Sequence, residues 1–329
     1  MFKKSKKILS LFVLLILTFV FLLTATYAWF TKNQEVETSD LSVRVRTSEH
    51  MEVSTDAINW SRSLTMYDIL HADYKVERFN QVPLNFYPYS SIGEINNGKL
   101  NMFFGLVSLD KEAGSPTYMK RVLKTESVSE VDGETGGFLA FDMYFKNNVP
   151  RTIYLGRKSY IKPTGEVIGI ENAFRVAFVF EGSTLNASDI EYIQSLDGSE
   201  DGYVRIWEPN ADVHTDTAVL AANKTYGLNI SEKNEYLKYY GVKKETITPV
   251  LLDSTDPEYF SLMNENICTD ANYNKVSGPN KLIFNLPEGI SKVRVYVWVE
   301  GQDVDCENNA AGTDFELNLN FTTNVEESV

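Results

Sequence analysis

Apolar and polar residues alternate with period two along several stretches of this chain. Leu41, Val43 and Val45 alternate with Ser42, Arg44 and Arg46. Leu139, Phe141, Met143 and Phe145 alternate with Ala140, Asp142, Tyr144 and Lys146. Val293, Val295, Val297 and Val299 alternate with Arg294, Tyr296, Trp298 and Glu300, and Phe315, Leu317, Leu319 and Phe321 with Glu316, Asn318 and Asn320. Side chains in a strand point to opposite faces in turn, so this pattern predicts antiparallel sheets with one face buried. Residues 174–180 (FRVAFVF) are more continuously apolar and predict a central strand. Residues 152–155, 204–207 and 281–284 are further strand candidates.

Helical spacing is rarer. It predicts short helices within Ser63–Val76, Ser188–Leu196 and Ser231–Tyr240, inserted between strand groups. Residues 110–136 and 208–226 are polar and turn-rich, and read as loops. The expected fold is all-β: an antiparallel, jelly-roll-like β-sandwich over residues 31–329 with short helical insertions, preceded by one N-terminal hydrophobic helix. The stretches 174–183 and 293–303 both end an apolar strand in Glu-Gly. They read as equivalent strands, too short a likeness to indicate a repeat.

The first thirty residues differ from everything after them. Lys3, Lys4, Lys6 and Lys7 precede an apolar run from Ile8 to Leu23, and small residues follow up to Ala28. A basic start, an apolar core and a small-residue end form an export signal. Two outcomes fit: cleavage between Ala28 and Trp29, or retention of the run as a membrane anchor, since about 20 apolar residues suffice to span a bilayer. Both place the remainder outside the cytoplasm.

Charge narrows the partners. The chain has 31 basic and 45 acidic residues, and the first 28 residues hold four lysines and no acid. The remainder therefore has 27 basic and 45 acidic residues, a formal charge of −18. That excludes nucleic acid, which is bound by Lys and Arg at its phosphates. The two cysteines, Cys268 and Cys306, are compatible with a disulfide in an oxidising compartment or with two separate thiols. The three histidines, His50, His71 and His214, form no His-Glu-x-x-His element and read as solvated. There is no Gly-x-Ser-x-Gly elbow, Walker loop or dinucleotide fingerprint. Leu286-Pro287-Glu288-Gly289 only superficially resembles a wall-anchoring motif, since no apolar tail follows it.

One local constellation suggests a ligand. Asp303, Asp305, Glu307 and Asn309 place oxygens at alternate positions, and Asp314 follows eleven residues after the first. Calcium loops use this spacing to wrap hard oxygen donors round one ion. Asn308 stands where such a loop wants glycine and Asp314 where it wants glutamate, so the other reading is a solvated acidic turn. No other cofactor is indicated.

The segment Thr24 to Arg46, with Thr26, Tyr27, Ala28 and Phe30 ahead of the strand Leu41 to Val45, resembles the start of the TasA/camelysin family of Gram-positive surface proteins. Phe141 to Asn148 and Phe315 to Phe321 are similar to later elements of that family. The resemblance implies a jelly-roll-like sandwich, processing by a signal peptidase of the export machinery, and assembly with itself or related subunits into surface or biofilm-matrix fibres. Camelysin-type members are described as metalloproteases, an activity not carried over because no zinc motif is present. Leu22-Leu23 stands where the family has a glycine-rich end, which keeps the anchor reading open.

The expected function is a non-enzymatic secreted or cell-surface structural protein. The route would be β-strand addition, with Leu41, Val43 and Val45 as the donor strand. A second reading is a membrane-tethered adhesin or ligand-binding module, with Tyr296, Trp298 and Trp207 as an exposed contact patch. A third is a secreted hydrolase working through carboxylates, for which no residue pair stands out.

Overall fold

The computed structural model describes residues 14–18, 20, 41–47, 51–91, 93–104, 106–109, 121–124, 127–164, 169–199, 202–209, 214–226, 250–251, 280–301, 303, 305–306 and 314–324. The chain separates into two compact units, Met1–Glu35 and Val36–Val329. In the first, residues 14–18 and 20 are helical, and Leu14, Leu15, Ile16, Leu17 and Val20 are exposed. No helix among the described residues is long and apolar enough to cross a membrane. Ala28 and Trp29 lie outside the described residues.

The second unit is mostly β. One sheet holds β1 (Leu41–Thr47), β3 (Ser63–Thr65), β12 (Arg151–Leu155), β13 (Tyr160–Pro163), β17 (Lys281–Leu286) and β19 (Phe315–Thr322). Their order is β17-β12-β19-β1-β3, with β13 also beside β19. The second sheet holds β2 (Glu52–Ser54), β4 (Pro88–Ser90), β7 (Met102–Phe104), β10 (Ser127–Val128), β11 (Leu139–Asn147), β14 (Phe174–Thr184), β15 (Tyr203–Trp207) and β18 (Gly289–Glu300). Here β18 is central, flanked by β11 and β14 over most of its length. Two small sheets are formed by β5 (Ile95–Asn96) with β6 (Lys99–Leu100), and by β8 (Leu106–Leu109), β9 (Arg121–Lys124) and β16 (Val250–Leu251).

The alternating stretches form strands at the expected positions. The wholly antiparallel topology does not appear. β1 runs parallel to β19, and β18 runs parallel to β4, so both large sheets are mixed. The first and last strands among the described residues lie side by side, and that pairing needs no tight turn.

Both sheets contribute their apolar faces to one core. Val43, Val45, Leu317, Leu319 and Phe321 from the first sheet share it with Phe141, Phe145, Phe178, Val293 and Val295 from the second. Phe321 meets Phe145 and Phe178 edge-on, with ring centroids 5.3 and 5.7 Å apart. Each such side chain contributes about 1.5–3 kcal/mol by leaving water. The Leu286–Gly289 string is the turn from β17 into β18. Gly289 has φ +109°, and a Cβ there would sit 2.3 Å from the Thr184 carbonyl oxygen. Glycine is therefore required by both conformation and space.

The helical expectations fare unevenly. Ser63–Val76 begins as strand β3 and holds only α1 (Met66–Leu70). Ser188–Leu196 contains α2 (Ile190–Ser195), capped by the Asp189 carboxylate accepting from the Tyr192 amide. Ser231–Tyr240 lies outside the described residues. The 208–226 stretch is no plain loop, because Asp216–Tyr226 forms α3. Thr215 Oγ1 accepts from the Ala218 amide at its start, a capping signal legible in the sequence.

Candidate functional site

Strand β1 is paired along its whole length. Its backbone follows β19 in parallel register from Leu41 opposite Phe315 to Thr47 opposite Phe321. On its other side β3 covers only Arg44 to Arg46. Val43 and Val45 are buried, whereas Ser42, Arg44 and Arg46 are exposed. Within the monomer the candidate donor strand thus fills its own sheet. Two buried valines and a parallel ladder hold it there, and Leu41 to Val43 have no strand on their other side among the described residues.

The acidic turn forms a second centre, only partly as the spacing suggests. Asp303 and Asp305 are buried, and His214, 89 residues before Asp303, is buried with them. One ligating atom from each of the three lies within 4.8 Å of the others. Asp305 Oδ2 stands 2.7 Å from His214 Nδ1, and its Oδ1 accepts from the Thr215 amide at 2.9 Å and hydroxyl at 3.0 Å. Asp303 Oδ2 accepts from Arg175 Nη2 at 2.8 Å, and Oδ1 accepts from the Asp305 amide at 2.9 Å. Arg175 Nε also donates to Glu208. Burial and the neighbouring Asp303 charge push the Asp305 carboxyl up, against the pull of its His214 and Thr215 hydrogen bonds.

Of the five predicted calcium ligands, Asp303 and Asp305 come together. Asp314 is half-buried and its carbonyl accepts from the Thr164 amide, while Glu307 and Asn309 lie outside the described residues. A nitrogen with two carboxylates is a set that zinc or manganese accepts more readily than calcium does. The same carboxylates tie β14, the start of α3 and the turn after β18 together. The solvated reading of His214 is corrected: it is 3% exposed. Nothing local in Val-His-Thr-Asp-Thr announces a distant aspartate. Cys306 is half-buried against the main core, and Cys268 lies outside the described residues.

The largest cluster of charge was not anticipated at all. Asp142 on β11, Glu181 on β14 and Lys292 on β18 have side chains 0% exposed. Arg294 on β18 meets Asp142 at 2.6 Å and Glu130 at 2.8 Å. Arg78 reaches both Glu181 oxygens at 2.8 and 2.7 Å and also meets Asp142. Lys292 Nζ stands 3.1 Å from Glu181 Oε2 and donates to the Gln194 and Leu196 carbonyls, each at 2.6 Å. Three cations and three anions thus meet on the outer face of the second sheet. Burial alone would raise the Asp142 carboxyl, but Lys292, Arg78 and Arg294 outweigh it and hold it well below the usual carboxylate range. The aromatic contact patch is likewise absent: Tyr296, Trp298 and Trp207 are at most 1% exposed. Tyr89, Leu100, Met102 and Phe138 form a second apolar cluster with Tyr296 and Trp298.

Compared with known proteins, the chain matches no family model, no curated protein and no solved structure.

Proposed function

We propose that this is a non-enzymatic, exported structural protein of the cell surface or surrounding matrix, assembling by β-strand addition through β1. The carrying observation is the setting of β1. It is a short strand parallel to β19, the last among the described residues, and covered on its other side by three residues of β3. A β1 from a second copy can make the same main-chain hydrogen bonds and bury the same Val43 and Val45. Exchange of an identical element is a low-cost route to association. We read the topology as jelly-roll-like, with the N-terminal segment as signal or anchor. The partners are further copies or related subunits, the export machinery and the membrane.

The buried ionisable groups fit a structural role. Each cation of the large cluster is engaged by a carboxylate, and the Asp303–Asp305 turn serves as a clip fastened by Arg175 and His214. In this reading no cofactor is needed. Deletion of residues 29–46 from the exported form is expected to abolish polymers under electron microscopy; unchanged fibres overturn the proposal. A labelled peptide spanning residues 36–47 should also enter the full chain in competition with its own β1. N-terminal sequencing and intact mass decide between cleavage after Ala28 and a retained anchor.

A further inference from the structure

The six strands of the first sheet carry an unusual charge. Arg44, Arg46, Arg151, Lys162 and Lys281 stand on them against a single acid, Glu316. Of the chain's 31 basic and 45 acidic residues, that leaves 26 and 44 elsewhere. A sheet of charge +4 is therefore set in a chain whose other residues sum to −18.

Three of these cations, Arg44, Arg46 and Lys162, stand on the outward face with Glu316, whereas Arg151 shares the side of the buried Ile153 and Leu155. Arg44 and Arg46 are exposed on β1, beside Asn318 and Asn320 of β19 and Thr65 and Ser63 of β3. Neither arginine has an ion-pair partner among the described residues. Tyr160 and Lys162 on β13 continue the face, with Lys162 Nζ 4.5 Å from the Tyr160 ring centroid and 3.4 Å from Glu316. Tyr160 donates to Glu316 Oε1 at 2.8 Å, so the one acid of the face is already engaged. Unpaired arginines beside a tyrosine, on a polar sheet surface, suit an acidic protein partner.

We infer that the outer face of the first sheet, centred on Arg44 and Arg46, is a docking surface for the acidic surface of a second copy of this chain. The inference rests on the self-assembling reading above. Charge complementarity selects the occupant, because the protein outside this sheet is strongly acidic. A basic face meeting an acidic surface elsewhere on the next copy is a heterologous contact, and such contacts propagate into rings or filaments. The face is the same whether β1 comes from its own chain or from a neighbour, so docking and strand addition are separable.

The test is sedimentation velocity on the full chain in mild detergent across a salt series, for the wild type and for R44E/R46E. The wild type is expected to associate at low salt and dissociate as salt rises. The double variant should associate about tenfold more weakly or worse, with an unchanged thermal midpoint. R44K/R46K should retain association. Should the charge reversal prevent folding, R44Q/R46Q provides the comparison and should also weaken association. Equal association of wild type and the folded variant, salt-independent association, or a wild type monomeric throughout would each overturn the inference. So would binding to heparin or duplex DNA without self-association. Uptake of the 36–47 peptide is unaffected by the double variant if the inference holds. Loss of that uptake with salt-sensitive association intact would fail strand addition alone.

Discussion

The outer faces of the two large sheets treat charge in opposite ways. On the second sheet Asp142, Glu181, Lys292 and Arg294 are buried, engaged by Arg78, by Glu130 and by the Gln194 and Leu196 carbonyls at the end of α2. Gln81 exchanges backbone hydrogen bonds with Ala140, and Arg78 reaches in to the carboxylates. On the first sheet Arg44 and Arg46 stand in water. Strands β1 and β18 look alike in sequence, since each alternates valines with polar or charged residues, Arg44 and Arg46 on one and Lys292 and Arg294 on the other. The difference lies in what covers them. Covered charges must be paired, because an unpaired charge in a low-dielectric interior is costly. Uncovered ones stay available to a partner.

The sharpest way to break the comparison is to remove a covered anion. Asp142→Ala leaves Arg78, Lys292 and Arg294 without their shared carboxylate, and is expected to lower stability by about 3–5 kcal/mol in urea unfolding. A loss under about 1 kcal/mol would mean that water enters the cluster.

Acid should act on the same face. Burial raises Glu181 on this face, but Asp142 lies well below the usual carboxylate range and Glu130 is lowered: burial would raise each of these two, and Lys292, Arg78 and Arg294 outweigh it at Asp142, Arg294 at Glu130. The folded pKa values of Asp142 and Glu130 lie below the unfolded ones. The stability they contribute is therefore complete above about pH 4 and is lost as pH falls through the folded values. Thermal melts between neutral pH and pH 2 check this, and Asp142→Asn should flatten the acid limb.

Asp305 has the reverse sign, since its carboxyl is pushed up. Its contribution is present at low pH and is lost as pH rises from about pH 4 through the raised folded value. Asp305→Asn should cost about 1–3 kcal/mol at low pH, and the gap to wild type should narrow toward neutral pH. A gap that widens instead would show that His214 holds the proton and the carboxylate is ionised. The smallest effect belongs to the bare face. Replacing Arg44 and Arg46 by glutamate should change monomer stability by no more than about 0.5 kcal/mol, while strongly altering association.

Much of the fold was legible in the pattern. The strands at 41–45, 139–145, 293–299 and 315–321 could be read because period-two alternation is a local property of a half-buried strand, and 174–180 because a short continuous apolar run marks a central one. The parallel pairing of β1 with β19 could not, because no local signal links residue 41 to residue 315. The second layer over β11, β14 and β18 was also hidden. Asp142 and Arg294 occupy the positions a solvated face would have, and Tyr296 and Trp298 look exposed for the same reason. At the acidic turn, Asp303 and Asp305 stood out by spacing. His214, Arg175 and Glu208 did not, since they arrive from other strands and loops.

The sequence by itself determined where the long alternating strands lie, which side of each is apolar, and that the chain after residue 28 is strongly acidic. These follow from alternation and composition, which act over a few residues or over the whole chain. Only the tertiary structure decided which polar faces are sealed and which are bare. It placed an ion cluster on one sheet and exposed arginines on the other, because covering a face depends on distant segments, and burial turns the same charged residue from a solvated group into one that must find a partner.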